Sequence, residues 1–198
     1  MTAMKTIKIW NDNASEKQIS EIAAMLEDGQ TAIIPTDTMY ALVCDATNLR
    51  SVERICALKG INPEKTNLSI ICADISMASE YARMSDTAYR LLKENTPGPY
   101  TLLLKAVSSL PRAFRNRKVV GVRIPANETA RAIAARLGRP LLTTTIEYRD
   151  EDYATNPELI AEAYDGRIDL MVEGEQGEIR QSKIVDCTGD NPVVIREL

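Results

Sequence analysis

Three residues at the end of an apolar run carry the most chemical promise in this sequence: Thr36, Asp37 and Thr38. Thr31 to Ile34 has the composition of a buried strand, and Pro35, which cannot donate to a ladder, ends it. Hydroxyls and backbone N–H groups on such an elbow can grip a carboxylate or phosphate, because strand ends are where a rigid scaffold presents its chemistry. The same residues also suit a self-satisfied Asx or Ser/Thr turn. What gives the elbow weight is its company further along the chain. Lys59 closes an amphipathic stretch, where it also suits the helix macrodipole. Arg123 and Arg196 end apolar strands, free either to hold an anion or to pair with surface acids.

Composition narrows the chemistry. The 198 residues contain no histidine, which excludes His-based triads, His metal sites and imidazole bases and leaves Lys, Asp, Glu, Tyr, Cys and hydroxyls. Cys44, Cys56, Cys72 and Cys187 lie far apart with no zinc spacing and are expected to be reduced core residues. Asp150-Glu151-Asp152 reads as a solvated loop rather than a magnesium site. Neither a P-loop nor a G-x-G-x-x-G occurs, and no G-x-S-x-G elbow is present. A net charge of -4 advertises no global field for nucleic acid, so a polyanion would need a local patch. The basic connector Arg112, Arg115, Arg117 and Lys118 is one such patch, or simply a solvated face. With no apolar run of spanning length and no signal-peptide core, a cytoplasmic protein without a membrane segment is expected.

The elements that must position these residues alternate. Strands are predicted at Lys5 to Trp10, Thr31 to Ile34, Leu68 to Cys72, Tyr100 to Leu104, Val119 to Ile124, Pro140 to Thr145, Ile168 to Val172, Lys183 to Cys187 and Val193 to Arg196. Helices are predicted from the Ser15/Gln18 capping box to Gly29, through Val52, Ile55 and Cys56 to Gly60, at Ser76 to Ala82 and Thr87 to Lys93, from Asn127 to Leu137, and after Asn156-Pro157. Thr96-Pro97-Gly98-Pro99 breaks the chain sharply. Interleaving of this kind argues for an α/β protein, a mixed sheet covered by helices, in a single domain over 1–198.

Six blocks in order then become recognisable: Pro35 to Leu42, Glu53 to Gly60, Leu68 to Ile71, Pro97 to Thr101, Gly121 to Pro125 and Ser182 to Asp186. Together they resemble the YrdC/YciO family over nearly the whole chain. The Asn95 to Thr101 block and the Thr143-Thr144-Thr145 strand end are closest to its YciO branch.

The resemblance implies an open, twisted mixed sheet flanked by helices around one large concave cavity. It also implies a function like that of the threonylcarbamoyl-AMP synthases, which join threonine, bicarbonate and ATP with Mg²⁺, release pyrophosphate and serve tRNA modification. On that footing Thr36, Thr38, Tyr40, Arg123 and Thr145 would hold substrate. Lys59 would act on the nucleotide phosphates as the catalytic cation, and Ser182, Lys183 and Arg196 would line the nucleotide end. A monomer is the default. Other members are described as double-stranded RNA-binding or translation factors, which gives the alternative of a non-catalytic RNA-binding module. Two departures bear on activity. Where the synthases carry Lys-x-Arg this chain has Lys59-Gly60-Ile61, and where they carry Ser-x-Asn it has Thr145-Ile146-Glu147.

Overall fold

A computed structural model describes residues 3–115 and 118–198; Arg117 of the basic connector lies outside the described residues. The elements in chain order are β1 (Lys5–Lys8), α1 (Glu16–Glu27), β2 (Ala32–Ile34), β3 (Ala41–Asp45), α2 (Leu49–Lys59), β4 (Leu68–Ile71), α3 (Ile75–Tyr81), β5 (Ala82–Arg83), α4 (Asp86–Asn95), β6 (Tyr100–Ala106), α5 (Arg112–Arg115), β7 (Val119–Arg123), α6 (Glu128–Leu137), β8 (Leu141–Thr145), α7 (Glu151–Thr155), α8 (Pro157–Tyr164), β9 (Leu170–Glu173), β10 (Lys183–Asp186) and β11 (Val193–Arg196). Strands run β1-β9-β2-β3-β8-β4-β7-β6-β10-β11 across one sheet, with β5 beside the far end of β6. Pairing is mixed: β1/β9, β9/β2, β4/β7 and β6/β10 are parallel, and the other pairs along the order are antiparallel.

Local chemistry explains the helix ends. Ser15 and Gln18 form the expected capping box on α1, whose buried stripe is Ile19, Ile22, Ala23 and Leu26. Asn48 and Asn127 cap α2 and α6, and Gly60, at a φ of 62°, ends α2 in the left-handed region that glycine tolerates.

Three expectations are corrected. The segment after the elbow is not a direct run into α2 but a strand, β3, placed between β2 and β8. All five of its residues are buried, so it lacks the alternation that marks a half-exposed strand. The acidic stretch at 150–152 opens a short helix, with Asp150 accepting from the Tyr153 N–H as its cap. Part of the basic connector is likewise helical, in α5.

Each face of the sheet packs its own core. On one face Leu102 and Leu104 of β6 with Val120 and Val122 of β7 join Val52 and Ile55 of α2. On the other, α1 and α6 cover Ile34, Ala41, Val43 and Leu141. Strand alternation then turns Ser69, Thr101, Arg123 and Thr143 onto this second face, in β4, β6, β7 and β8. These polar residues floor the site described next.

Candidate functional site

Arg123 is the centre of the site. It is only 6% exposed, at the end of β7, and directly opposite Thr101 of β6. Its Nη2 donates to Asp37 Oδ1 at 2.5 Å, Thr38 Oγ1 at 2.7 Å and Thr36 Oγ1 at 3.3 Å. Nε is buried and has no partner among the described residues. Asp37 closes the arrangement by accepting from the Ala126 N–H at 2.8 Å. The elbow is held internally too, since the Thr36 hydroxyl donates to the Met39 carbonyl at 2.8 Å and accepts from the Thr38 N–H at 3.1 Å.

Arg123 walls a hollow of about 170 Å³ together with Ser69, Thr101, Thr145, Ser182 and Arg196. Ser182 and Thr101 share a hydrogen bond of 2.9 Å between their hydroxyls. Arg196 grips the same residue, Nε donating to the Ser182 carbonyl at 2.9 Å and Nη2 to its hydroxyl at 3.3 Å. Burial lowers the pKa of both guanidiniums, and the charge of Arg123 adds to the effect on Arg196. Asp37 opposes the shift of Arg123 without cancelling it. Two cations that repel one another, Arg123 buried and Arg196 partly so, favour an anion between them.

A second hollow, about 330 Å³, lies on the other side of the elbow, lined by Thr36, Asp37, Asn127 and the loop from Gly174 to Glu178. The Asp37–Arg123 pair stands between the two, one partner in each wall.

The site residues expected from the sequence divide. Thr36, Thr38, Arg123, Thr145, Ser182 and Arg196 come together around the elbow and the smaller hollow. Lys59, at the last turn of α2, is half-buried, and Ile61, two residues further on, lines the hollow in its stead. Burial lowers the Lys59 pKa, opposed by the nearby charge of Glu147.

Tyr40 and Lys183 are corrections. Tyr40 is wholly buried, donating to the Glu175 carbonyl at 2.9 Å and accepting from the Gly174 N–H at 3.1 Å, so its hydroxyl holds a loop rather than a ligand. That burial pushes its pKa up to about 12. Lys183 falls between Ser182 and Ile184, which face the hollow, so the pleat turns it to the opposite side. There it pairs with Glu197 at 2.8 Å.

Sequence reasoning missed Ser69, Thr101 and Asn67, whose buried Oδ1 is unpaired among the described residues. Their membership is set by strand register, and one signal did point to it: a short polar side chain within each of the apolar runs Leu68–Ile71 and Tyr100–Leu104.

A family model covering Sua5, YciO and YrdC, described as "Telomere recombination", matches residues 24–197. The chain belongs to the Sua5/YciO/YrdC family. Among its relatives is an uncharacterized protein of Haemophilus influenzae, 35% identical over 190 residues that cover 94% of this chain and 91% of that one. The uncharacterized YciO of Escherichia coli K12 is 33% identical over 189 residues, with the same coverage of 94% and 91%. The crystal structure of Escherichia coli YciO matches with a TM-score of 0.90 at 32% identity, covering 98% of this chain and 95% of that one. Within the same family, Pyrococcus abyssi Sua5 complexed with L-threonine matches with a TM-score of 0.87 at 27% identity, over 96% of this chain and 56% of Sua5. The threonylcarbamoyl-AMP synthase of Bacillus subtilis is 30% identical over 93% of this chain. This chain spans only 54% of that synthase, about half its length. No helix among the described residues is long and apolar enough to cross a membrane.

Proposed function

We propose that the hollow between Arg123 and Arg196 binds the anionic part of a small substrate, and that the protein is a threonylcarbamoyl-AMP synthase-like enzyme using threonine, bicarbonate and ATP. The observation that carries this reading is the one-sided bonding of Arg123. All three of its hydrogen bonds leave from Nη2, so Nη1 has no partner among the described residues while Arg123 lines a hydroxyl-rich hollow. A guanidinium edge left unpaired in a largely desolvated residue gains a charge-assisted hydrogen bond when an anionic ligand accepts from it.

In that reaction a carbamate oxygen attacks the α-phosphorus of ATP and pyrophosphate leaves, so negative charge gathers where fixed cations must already stand. Arg123 and Arg196 are fixed by their bonds to the elbow and to Ser182. Lys59, partly desolvated, supplies a third cation toward the phosphates. Mg²⁺ would enter with the triphosphate oxygens as ligands, since among the described residues no three His, Cys, Asp or Glu side chains cluster as a metal site. Ile61 brings an aliphatic side chain into the wall where a synthase has a second cation, which favours slow turnover or binding without turnover.

Pyrophosphate release measured with threonine, bicarbonate and ATP, each omitted in turn, tests the reading. Calorimetry with ATP and with threonine separates binding from turnover. Lys59→Ala and Arg123→Gln are each expected to lower the rate by about 10²- to 10³-fold. A folded protein that neither turns over nor binds either ligand overturns it.

A further inference from the structure

At the opposite end of β6 and β7 the sheet carries a second concentration of positive charge, independent of the site above. A hollow of about 530 Å³ is lined by Arg83, Lys105, Arg115 and Lys118 with no carboxylate among its walls. None of these four cations forms a salt bridge among the described residues. The four residues outside the described ones, Met1, Thr2, Asn116 and Arg117, bring no carboxylate side chain either.

Two features show that this clustering works against the fold. Arg83 of β5 lies directly opposite Lys105 of β6, and like charges in that relation destabilise a sheet. Lys118 adopts a φ of 54°, in the left-handed region that disfavours a side-chain-bearing residue. Both costs would vanish with commoner residues at the same positions. One guanidinium is also pre-positioned, because Arg115 Nε donates to the Leu110 carbonyl at 2.9 Å.

We propose that this hollow is a second anion site, which takes a compact oligophosphate group. All four cations line one depression, which suits several phosphates held close together. No aromatic side chain lines the hollow and its aliphatic members, Ala106, Val107 and Val119, are half-buried, so it lacks the exposed aromatic anchor that stacks single-stranded bases or centres a protein interface. Ser108 and Thr188 add polar neighbours at the rim. Along β6, Lys105 is four residues from Thr101, about 13 Å, so the two anion sites share one face without overlapping.

Titration calorimetry with tripolyphosphate at low salt tests the proposal, comparing the wild type with an Arg83→Gln/Lys105→Gln double variant, Lys118→Gly and Ser182→Ala. Because the hollow between Arg123 and Arg196 is itself proposed to take phosphates, we expect up to two saturable events, one of which weakens about tenfold or more in the double variant and clearly in Lys118→Gly. The thermal melting temperature of both should hold or rise, because repulsion and backbone strain are relieved. Ser182→Ala, in the other site, should leave the event that depends on Arg83 and Lys105 as it is in the wild type. Absence of binding by the wild type, an unchanged set of events in the double variant, or loss in Ser182→Ala of the event that depends on Arg83 and Lys105 would each overturn the assignment. So would a short RNA duplex that binds through these same residues and that tripolyphosphate fails to displace.

Discussion

The Ser69 hydroxyl occupies the place where a side chain on Gly121 would begin. The two residues are partners across β4 and β7, and a Cβ on Gly121 would also lie 3.0 Å from Ser69 Cβ and 3.1 Å from Thr101 Cγ2. Gly121→Ala is therefore expected to destabilise the protein by about 1–3 kcal/mol through overpacking. Ser69→Gly in the same chain removes both serine atoms and should recover most of that loss. Urea unfolding of the three variants decides it, and an unchanged midpoint for Gly121→Ala would contradict the packing described.

Removing the partner of a buried charge is costlier than removing a methyl group. Asp37→Ala leaves Arg123 desolvated without its counterion, for an expected loss of about 3–5 kcal/mol. Asp37→Leu combined with Arg123→Met should lose less than Asp37→Ala alone, because no unpaired charge stays behind. Equilibrium unfolding of single and double variants measures the difference.

Tyr40→Phe separates a structural hydroxyl from a substrate-binding one. The Gly174 N–H and the Glu175 carbonyl would both lose their partner, for an expected cost of about 1–3 kcal/mol. Threonine affinity, read by calorimetry, should stay close to that of the wild type. A large fall in affinity with unchanged stability would return the hydroxyl to the substrate.

Acid stability should depend on Asp169. Burial pulls its carboxyl upward, but the hydrogen bond from Arg54, those from the Thr31 N–H and hydroxyl, and the Arg54 charge outweigh burial and leave its pKa below 3.8. A carboxyl depressed in the folded state contributes stability that is present above its unfolded pKa and lost as pH falls through the folded one. Asp169→Asn should thus lower stability at neutral pH and flatten the decline below about pH 4. Urea midpoints across that range provide the check, with parallel profiles for the two proteins as the contrary result.

Much of the frame could be read from residue order, and the exceptions share a cause. Helices α1, α2 and α6 announce themselves because caps and one-sided apolar spacing are local signals. Strand β3 does not, since burial on both faces erases alternation, and α5 and α7 are too short to show a helical period. In the site, Thr36, Thr38 and Arg123 were visible as residue types, but their mutual bonding depends on strands far apart in the chain. Lys183 shows the same limit in reverse: a residue can sit beside a site in sequence and on the wrong side of the pleat in space. Asp37 looked like a turn former, and its role as counterion emerges only once β7 lies alongside.

Because one short ribbon holds both Thr101 and Lys105 on the side opposite Leu102 and Leu104, neither anion site can be tuned by sliding that ribbon. A frame shift of a single residue at the Thr96–Pro97 turn would turn Leu102 and Leu104 onto the face that now carries Thr101 and Lys105, and drive that threonine and lysine into the apolar core. Insertions ahead of Tyr100 should for that reason silence both sites in one stroke, whereas changes confined to the outer flank of the same ribbon should spare them.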